Sequence, residues 1–409
     1  MKSSLVSVLW WSTALSVLGA CSTHPSTTTD GNATSTVTAP TASAEGLRLE
    51  RVVMLMRHGV RPPTKAQVVP EGMHDRPWPT WSVGWGELTQ RGYDAARLLG
   101  AWDRGHWIAQ GLLPANGCPA ATDIEVAASA KSRTQASARA LVEGLAPGCT
   151  IAIGFPGHAD EDVEFHPLDA GAMPIDADEA LRAVQALAPP GGMPAEVAAH
   201  AGGLALLGRA LGCSGARADS GCRLADMPAA LVRNEGDRPD IGDPFGLAST
   251  VSQTFLLQYL EGMPMSDVAW GRLTRQQIED LLAFHSMLQA MQSGPRLTVL
   301  VGHDTNIADL GGFLDLHWQV PSYPRDDPPP GGALGFEVLV DARGQRIVRA
   351  FYRAQTMDQV RGMQALSAAN PPAYQVLPIP GCDAPCALET FATLVRGRLV
   401  APLPRTPRS

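Results

Sequence analysis

The pattern of apolar and polar positions divides much of the chain into short strands and longer helices. Val52–Met56 is a run of apolar residues, and such a run predicts a strand that is buried on both faces. Apolar residues at helical spacing predict a helix from about Thr89 towards Gly111 and another through Leu141 to Leu145. Other segments have strand character: Asp123–Ala127, Arg296–Val301, Leu334–Val340 and Ile347–Tyr352. This alternation is typical of an α/β domain.

Polar side chains begin where the first strand ends. Arg57, His58 and Arg61 lie close together in the sequence, and open α/β sheets bind ligands at the carboxyl ends of their strands. Two guanidinium groups beside an imidazole suit a tetrahedral dianion, because each guanidinium can donate paired hydrogen bonds and the imidazole can attack phosphorus. The stretch therefore predicts phosphate chemistry. The alternative is a core histidine flanked by surface charges.

Two later strands also end in polar residues. Arg133 follows the segment Asp123–Ala127, and His303 and Asp304 follow Arg296–Val301. Taken alone, Arg133 would be an exposed charge at the start of a helix. Asp304 would be a helix N-cap that accepts backbone N–H bonds.

The string Arg57–Thr64, R-H-G-V-R-P-P-T, resembles the R-H-G-x-R-x-P-T signature of the histidine acid phosphatases, branch 2 of the histidine phosphatase superfamily. The chain is most similar to the bacterial periplasmic acid phosphatases and phytases of that family, from about Leu47 to Val400. Other strings of the chain share the likeness: Leu88–Gly92, Arg133-Thr134, Phe165–Leu168 and His303-Asp304.

The resemblance implies a role for each charged residue at the strand ends. His58 is the expected nucleophile, and Asp304 is the expected acid that protonates the leaving oxygen. Water then hydrolyses the phosphohistidine, which gives double-displacement kinetics. No metal or other cofactor is expected, because arginines supply the positive charge. The phosphate group is expected to bind to four side chains: Arg57, Arg61, Arg133 and His303.

The resemblance also implies an α/β fold with a mixed central sheet flanked by helices and a smaller, mostly helical cap domain. Residues 46–168 and 296–409 would form the α/β domain. Residues 169–295, with Ala- and Leu-rich helical patterns, would form the cap. The substrate would lie between the two, and the chain is expected to be a monomer.

The composition sets limits on the class of protein. A hydrophobic content of 45% over 409 residues allows a sizeable core and excludes a disordered chain. The formal net charge of −8 gives no basic field that would attract nucleic acid. The expected partner is a small-molecule phosphate ester. Histidines and carboxylates in His158–His166 could suggest a metal site, but their irregular spacing favours a solvated acidic loop.

The first residues have the pattern of an export signal. Lys2 precedes an apolar run, Leu5–Leu18, and small residues stand directly before Cys21. This resembles the bacterial lipobox, so residues 1–20 are predicted to be a signal peptide and Cys21 to carry lipid. Residues 21–45 are predicted to be a disordered tether rich in Ser and Thr. The expected location is the periplasm or cell envelope, as an outer-membrane lipoprotein. Ordinary secretory cleavage is the alternative.

Six cysteines remain once Cys21 is set aside, an even number that suits disulfides in an oxidising compartment. Six cysteines allow fifteen pairings in principle. Sequence proximity suggests Cys213 with Cys222 and Cys382 with Cys386. That would leave Cys118 with Cys149, and the family resemblance implies the same set.

The substrate is expected to be phytate (inositol hexakisphosphate) or a related phosphate ester. Thr64 and Lys65 follow the signature as they do in bacterial phytases of the family, and both are expected to be secondary substrate contacts. A short stretch between His285 and Arg296 departs from those phytases. Three residues depart as well: Ser129, Thr250 and Gln253. A broad-specificity acid phosphatase or a glucose-1-phosphatase is therefore the alternative.

Two further classes of protein are open. One is a mutase-type transferase that uses the same phosphohistidine, which fits an export signal poorly. The other is a catalytically inactive, anion-binding surface lipoprotein. Inactive family members usually lack a charged site residue, whereas this chain has all six candidates.

Overall fold

The computed structural model describes residues 46–62, 64, 81–166, 170–171, 190–191, 195, 198, 201, 287–323 and 325–400. Some expectations therefore lie outside the described residues. They are the signal peptide and tether with Cys21, most of the cap, the contact by Lys65, the departures at Thr250 and Gln253, and the disulfide between Cys213 and Cys222.

A seven-stranded sheet forms the centre of the fold, with the order β3-β2-β4-β1-β5-β6-β7. β1 pairs in parallel with β4 and antiparallel with β5, so the sheet is mixed, as expected. β2 runs parallel to β3 and β4, whereas β5, β6 and β7 are antiparallel. The strands are β1 Arg48–Arg57, β2 Ile124–Ala128, β3 Ile153–Gly154, β4 Leu297–Gly302, β5 Ala333–Val340, β6 Arg346–Ala354 and β7 Ala373–Leu377.

Helices cover both faces of this sheet. The described helices are α1 Gln90–Ala109, α2 Ser132–Leu145, α3 Met287–Ser293, α4 Asp304–Phe313, α5 Met357–Arg361 and α6 Leu388–Val400. Side chains of α3, α4 and α6 pack on one face of the sheet, and side chains of α1 and α2 pack on the other. The apolar run Val52–Met56 contributes to both cores and is fully buried, which confirms its prediction as a doubly covered strand.

The two helices α1 and α2 cross at very short range. A Cβ at Gly144 would lie 2.0 Å from the carbonyl oxygen of Arg97, so only glycine fits at this position. α1 begins at Gln90 because the side chain of Thr89 accepts a hydrogen bond from the Gly92 N–H at 3.0 Å. This agrees with the predicted start of the helix at about Thr89.

Some elements have no counterpart in the sequence patterns, namely β3, β7, α5 and α6. Two expected disulfides are present, Cys118–Cys149 and Cys382–Cys386. Among the described residues, no helix combines the length and the apolar character needed to cross a membrane.

Candidate active site

The first and last polar motifs meet because β1 and β4 are parallel neighbours. Arg57, the last residue of β1, is paired with Gly302, the last residue of β4. The His58 N–H donates to the Gly302 carbonyl oxygen at 3.0 Å. β2 is the other neighbour of β4 and runs parallel to it, so the turn before Arg133 lies at the same end of the strands. The sheet thus brings three distant segments together.

His58 is 1% exposed, and the contacts of its ring show which of its two nitrogens carries the proton. Nδ1 lies 2.8 Å from the Gly59 carbonyl oxygen. Because a carbonyl oxygen only accepts, Nδ1 carries the proton and Nε2 keeps a lone pair. Burial, followed by the charges of Arg133, Arg61 and Arg57, holds the pKa of His58 well below its usual value. The imidazole is therefore neutral and suited to nucleophilic attack.

Ser137 fixes the backbone of the loop that carries His58. Its Oγ accepts a hydrogen bond from the Gly59 N–H at 2.9 Å and donates to the Arg133 carbonyl oxygen at 2.7 Å. The hydroxyl thereby ties the His58 loop to the first turn of α2. A second tie runs through Thr89, whose backbone N–H donates to the Val60 carbonyl oxygen at 3.0 Å. A Cβ at Gly92 would lie 2.3 Å from the same oxygen, so glycine is required there too.

Arg57 joins the His58 segment to the Asp304 segment. Its side chain is 2% exposed, and Nη2 lies 3.0 Å from Oδ2 of Asp304. Nη1 donates to the Pro328 carbonyl oxygen at 2.6 Å. Among the described residues, its buried Nε has no hydrogen-bond partner. One donor of this guanidinium thus stays available for an anion.

Arg61 and Arg133 complete the positive cluster. Nη1 of Arg61 donates to the Pro62 carbonyl oxygen at 2.9 Å. Arg133 lies in the first turn of α2, and its Nη2 is 3.4 Å from Nδ1 of His303. The buried Nε of Arg133 also has no hydrogen-bond partner within the described part of the chain. Burial lowers the pKa of Arg133, while the charge of Asp304 raises it.

Asp304 is the first residue of α4, and the N-cap position belongs to His303. The reading of Asp304 as the N-cap is therefore wrong. The His303 N–H donates to Oδ1 of Asn306 at 2.7 Å, so Asn306 supplies the cap interaction. The Asp304 side chain is 18% exposed and contacts Arg57. It can reach both the cluster and solvent, as an acid for a leaving group must.

His303 is in contact with residues that sequence patterns did not assign to the site. Its Nε2 lies 2.7 Å from Nε2 of His166 and 3.1 Å from Oγ of Ser129. Ser129 donates to Oδ2 of the buried Asp162 at 2.6 Å. Burial lowers the pKa of His303 well below its usual value, and the nearby charge of Arg133 adds to this. In the sequence, His166 stood out only within the string Phe165–Leu168 and as one of the histidines of His158–His166.

The segment just before α1 lies beside the cluster. A Cβ at Gly86 would lie 3.6 Å from Thr64. Oε2 of Glu87 accepts a hydrogen bond from Oγ of Ser132 at 2.7 Å. Because Ser132 directly precedes Arg133, the carboxylate lies near the cluster, and its charge raises the pKa of Arg133. The described residues thus place Thr64 and Glu87 at this end of the sheet.

The cluster consists of three guanidinium groups around a neutral, buried imidazole, with one carboxyl group at its edge. Such a set of side chains can bind a tetrahedral anion, attack it and protonate its leaving group. Within the described ranges, no group of three or more His, Cys, Asp and Glu side chains is arranged to hold a metal ion. The segment His158–His166 contributes His166 to the neighbourhood of His303 instead.

The fold and this cluster define the class of protein, an α/β enzyme that acts on phosphate groups. Residues 48–187 match the family model described as histidine phosphatase superfamily (branch 2). Phytase AppA of Escherichia coli (strain K12) is 30% identical over 405 residues, which span 85% of this chain and 91% of that relative. The chain belongs to branch 2 of the histidine phosphatase superfamily.

Other relatives agree with this assignment. A glucose-1-phosphatase of Salmonella typhimurium is 28% identical, with 85% of this chain and 92% of the relative covered. The solved structure of Hafnia alvei phytase in complex with tartrate has a TM-score of 0.75 and 28% identity. That match covers 88% of this chain and all, 100%, of the solved one. The phytase of Klebsiella sp. ASR1 has a TM-score of 0.74 and 28% identity. The family resemblance seen in the sequence is thus confirmed.

Proposed function

We propose that this protein is an acid phosphomonoesterase that works through a phosphohistidine and accepts phytate and related phosphate esters. The observation that carries the proposal is the ring of His58. Its Nδ1 is tied to Gly59, its Nε2 keeps the lone pair, and arginines surround it. A neutral imidazole beside an anion-binding cluster is the requirement for in-line attack on phosphorus.

The reaction has two steps in this proposal. Nε2 of His58 attacks phosphorus while the Asp304 carboxyl group gives its proton to the departing alkoxide, so the P–O bond breaks as the P–N bond forms. Asp304 can do this only while it is protonated, which favours acidic conditions. The resulting carboxylate then takes a proton from the water that attacks the phosphohistidine. Arg57, Arg61 and Arg133 hold the phosphoryl oxygens during both steps.

Phytate is proposed as a substrate because of the similarity to phytases and because Thr64 lies next to Gly86, in the segment beside the cluster. Lys65, which follows Thr64, would contact a neighbouring phosphate. The relatives that are phytases are similar to this chain over most of its length. The proposal of phytate as a substrate rests on this similarity over most of the chain, together with the arginine cluster.

A broad-specificity acid phosphatase or glucose-1-phosphatase is the second candidate, and Glu87 favours it. Its carboxylate lies close enough to Arg133 to raise the pKa of that group. A negative charge beside the phosphate clamp opposes the additional phosphate groups of a polyanionic ester. The glucose-1-phosphatase of Salmonella typhimurium covers this chain to the same extent as the phytase of Escherichia coli.

The decisive experiment compares kcat/KM for p-nitrophenyl phosphate, glucose 1-phosphate and phytate. The wild type should release phosphate from all three, and His58→Ala should release none. A quench in base should trap phosphate on His58, since phosphohistidine survives base better than acid. If the wild type releases no phosphate from any ester, the enzyme proposal is wrong and the anion-binding lipoprotein is favoured.

Lys65→Ala tests the phytate part of the proposal. It should lower kcat/KM for phytate by about tenfold, corresponding to about 1.4 kcal/mol of transition-state binding, with little change for p-nitrophenyl phosphate. Arg343→Ala is the matched control, because Arg343 is an exposed cation beyond Val340. Val340 pairs with Arg48 at the start of β1, which is the end of the sheet away from the cluster. Equal losses on both esters in Lys65→Ala would refute a phytate contact.

The cellular placement is also part of this proposal. Small residues before Cys21, together with the preceding apolar run, support export to the cell envelope and attachment by lipid to the outer membrane. The protein would act there as a monomer on phosphate esters that enter the periplasm.

A further inference from the structure

His166 and His303 form a hydrogen-bonded pair of imidazoles beside the arginine cluster. Their Nε2 atoms are 2.7 Å apart, and their ring centroids are 4.4 Å apart. The backbone of His166 is held in place because its N–H donates to the Asp162 carbonyl oxygen at 2.9 Å. Asp162 is itself fixed by Ser129 and by the Ala130 N–H, which donates to it at 2.9 Å. The contact between the two rings is therefore part of a built, buried network.

The hydrogen-bond partners of His303 show which of its ring nitrogens carries a proton. Arg133 Nη2 lies 3.4 Å from Nδ1 of His303, and a guanidinium group only donates, so this nitrogen has no proton. The single proton of a neutral His303 is therefore on Nε2. Ser129 gives its own proton to Asp162, so its Oγ can accept from His303. Nε2 of His166, at the shorter distance, accepts from the same N–H.

A bound phosphate group changes this count. His303 is expected to donate a hydrogen bond to an oxygen of the phosphate group, and Nδ1 is the ring nitrogen that faces the phosphate-binding Arg133. A lone pair on Nδ1 would face a lone pair on that oxygen, which is repulsive. Moving the Nε2 proton of His303 to Nδ1 would leave a lone pair on Nε2 facing Oγ of Ser129, whose own proton is on Asp162. Nδ1 must therefore gain a further proton while Nε2 keeps its own. The pair then holds three protons on four ring nitrogens and carries one positive charge.

We propose that His166 is a positioning residue that shares this charge with His303, so that the pair takes up one proton when a phosphate group binds. This rests on the proposed phosphatase function. The proton comes from the ester itself, whose monoanion has a pKa of about 6. The ester O–H bond breaks and the Nδ1–H bond of His303 forms. A monoanion and a neutral pair become a dianion and a cationic pair, and the net charge is unchanged.

The surroundings of His303 explain why this residue alone would not hold the positive charge. Burial, followed by the charges of Arg133, His166 and His58, lowers the pKa of His303. Asp304 opposes these effects, and Asp162 lies behind Ser129. A single buried imidazolium is costly in this setting. Sharing the proton with His166, which is only partly buried, places part of the charge nearer to solvent.

Calorimetric titration with inorganic sulfate tests the proposal. Sulfate is a tetrahedral dianion that does not titrate near neutral pH, so any proton taken up belongs to the protein. Titrations near pH 6 in buffers of different ionisation enthalpy should give about one proton per bound sulfate for the wild type. His166→Asn should give less than about half of this value, because an amide can hydrogen-bond to Nε2 but cannot share a proton. His158→Asn, an exposed histidine of the same segment, is the control and should behave like the wild type.

Equal proton uptake by His166→Asn and the wild type would overturn the proposal. A second measurement on the wild type covers the case in which His166→Asn does not fold. The ¹⁵N shifts of His303 should show a protonated Nδ1 after sulfate binds, and an unprotonated Nδ1 would also overturn the proposal. Turnover of p-nitrophenyl phosphate is measured separately. An active enzyme without proton uptake refutes only the role of His166, whereas a wild type without turnover refutes the phosphatase function.

Discussion

Replacing Ser137 with alanine should weaken both the fold and the reaction. Ser137 is 0% exposed, and its hydroxyl makes two buried hydrogen bonds. The Arg133 carbonyl oxygen lies in the first turn of α2, so it accepts a backbone hydrogen bond of the helix even when the Ser137 hydroxyl is removed. The Gly59 N–H, in contrast, loses its partner. Leaving such a buried donor unsatisfied costs about 1–3 kcal/mol, and the better helix propensity of alanine returns about 0.5 kcal/mol. The free energy of unfolding should therefore fall by about 0.5–2.5 kcal/mol.

The same change should slow catalysis, because the Gly59 carbonyl oxygen is the group that orients His58. A loss of about 1.4 kcal/mol in the transition state corresponds to a tenfold fall in kcat. The fall should be similar for p-nitrophenyl phosphate and glucose 1-phosphate, since the orientation of the nucleophile matters equally for both. Urea unfolding gives the stability and initial rates give kcat.

Thr298→Val is the matched control for Ser137→Ala. Thr298 is equally buried, but its Oγ1 has no hydrogen-bond partner among the described residues. Removing an unsatisfied hydroxyl should leave stability unchanged or raise it, and kcat should not change. If Ser137→Ala loses no more stability than Thr298→Val, the inference that Ser137 anchors the loop is wrong.

Four further predictions follow from the site and the N-terminus. Asp304→Asn should slow hydrolysis of alkyl phosphates far more than that of p-nitrophenyl phosphate, whose leaving group needs little protonation; equal losses in kcat would exclude Asp304 as the acid. Because His58 attacks as the free base and its pKa is lowered, kcat/KM should stay high below pH 6.5, and Arg61→Met should move the acidic limb of the profile upwards; an unmoved limb would contradict this cause. EDTA should not reduce kcat, since arginines supply the positive charge; activity lost in EDTA and restored by metal would refute this. Cys21→Ser should abolish membrane fractionation, whereas unchanged fractionation would indicate ordinary secretory cleavage.

The sequence was informative where function depends on residues that are close in the chain. Arg57, His58 and Arg61 follow one apolar strand, and that strand is recognisable because it is apolar on both faces. The second motif, His303 and Asp304, was also recognisable as a strand end. Their joint action was expected from the family resemblance, and the pairing of Arg57 with Gly302 puts the two strand ends side by side.

The residues behind the site could not be found in the same way. His166 reaches His303 over a separation of 137 positions, and Asp162 reaches Ser129 over 33. Nothing in their local sequence shows these partners, because only the folded chain brings them together. β7 lacks a clear alternating pattern, since its Gln375 and Val376 are both exposed. Without a regular period, such a strand gives no signal in the sequence.

The strand order has a consequence for how this enzyme family can diversify. β2, β4 and β1 are directly hydrogen-bonded neighbours, so this ladder forms without any residue between β3 and α3. Among the described residues, the next strand after β3 is β4, which follows α3, and the reacting groups lie at the ends of strands that already pair with one another. Asp162 and His166 lie between β3 and α3 and contact Ser129 and His303, so changes of length that preserve the phosphate-transferring geometry are expected only beyond His166.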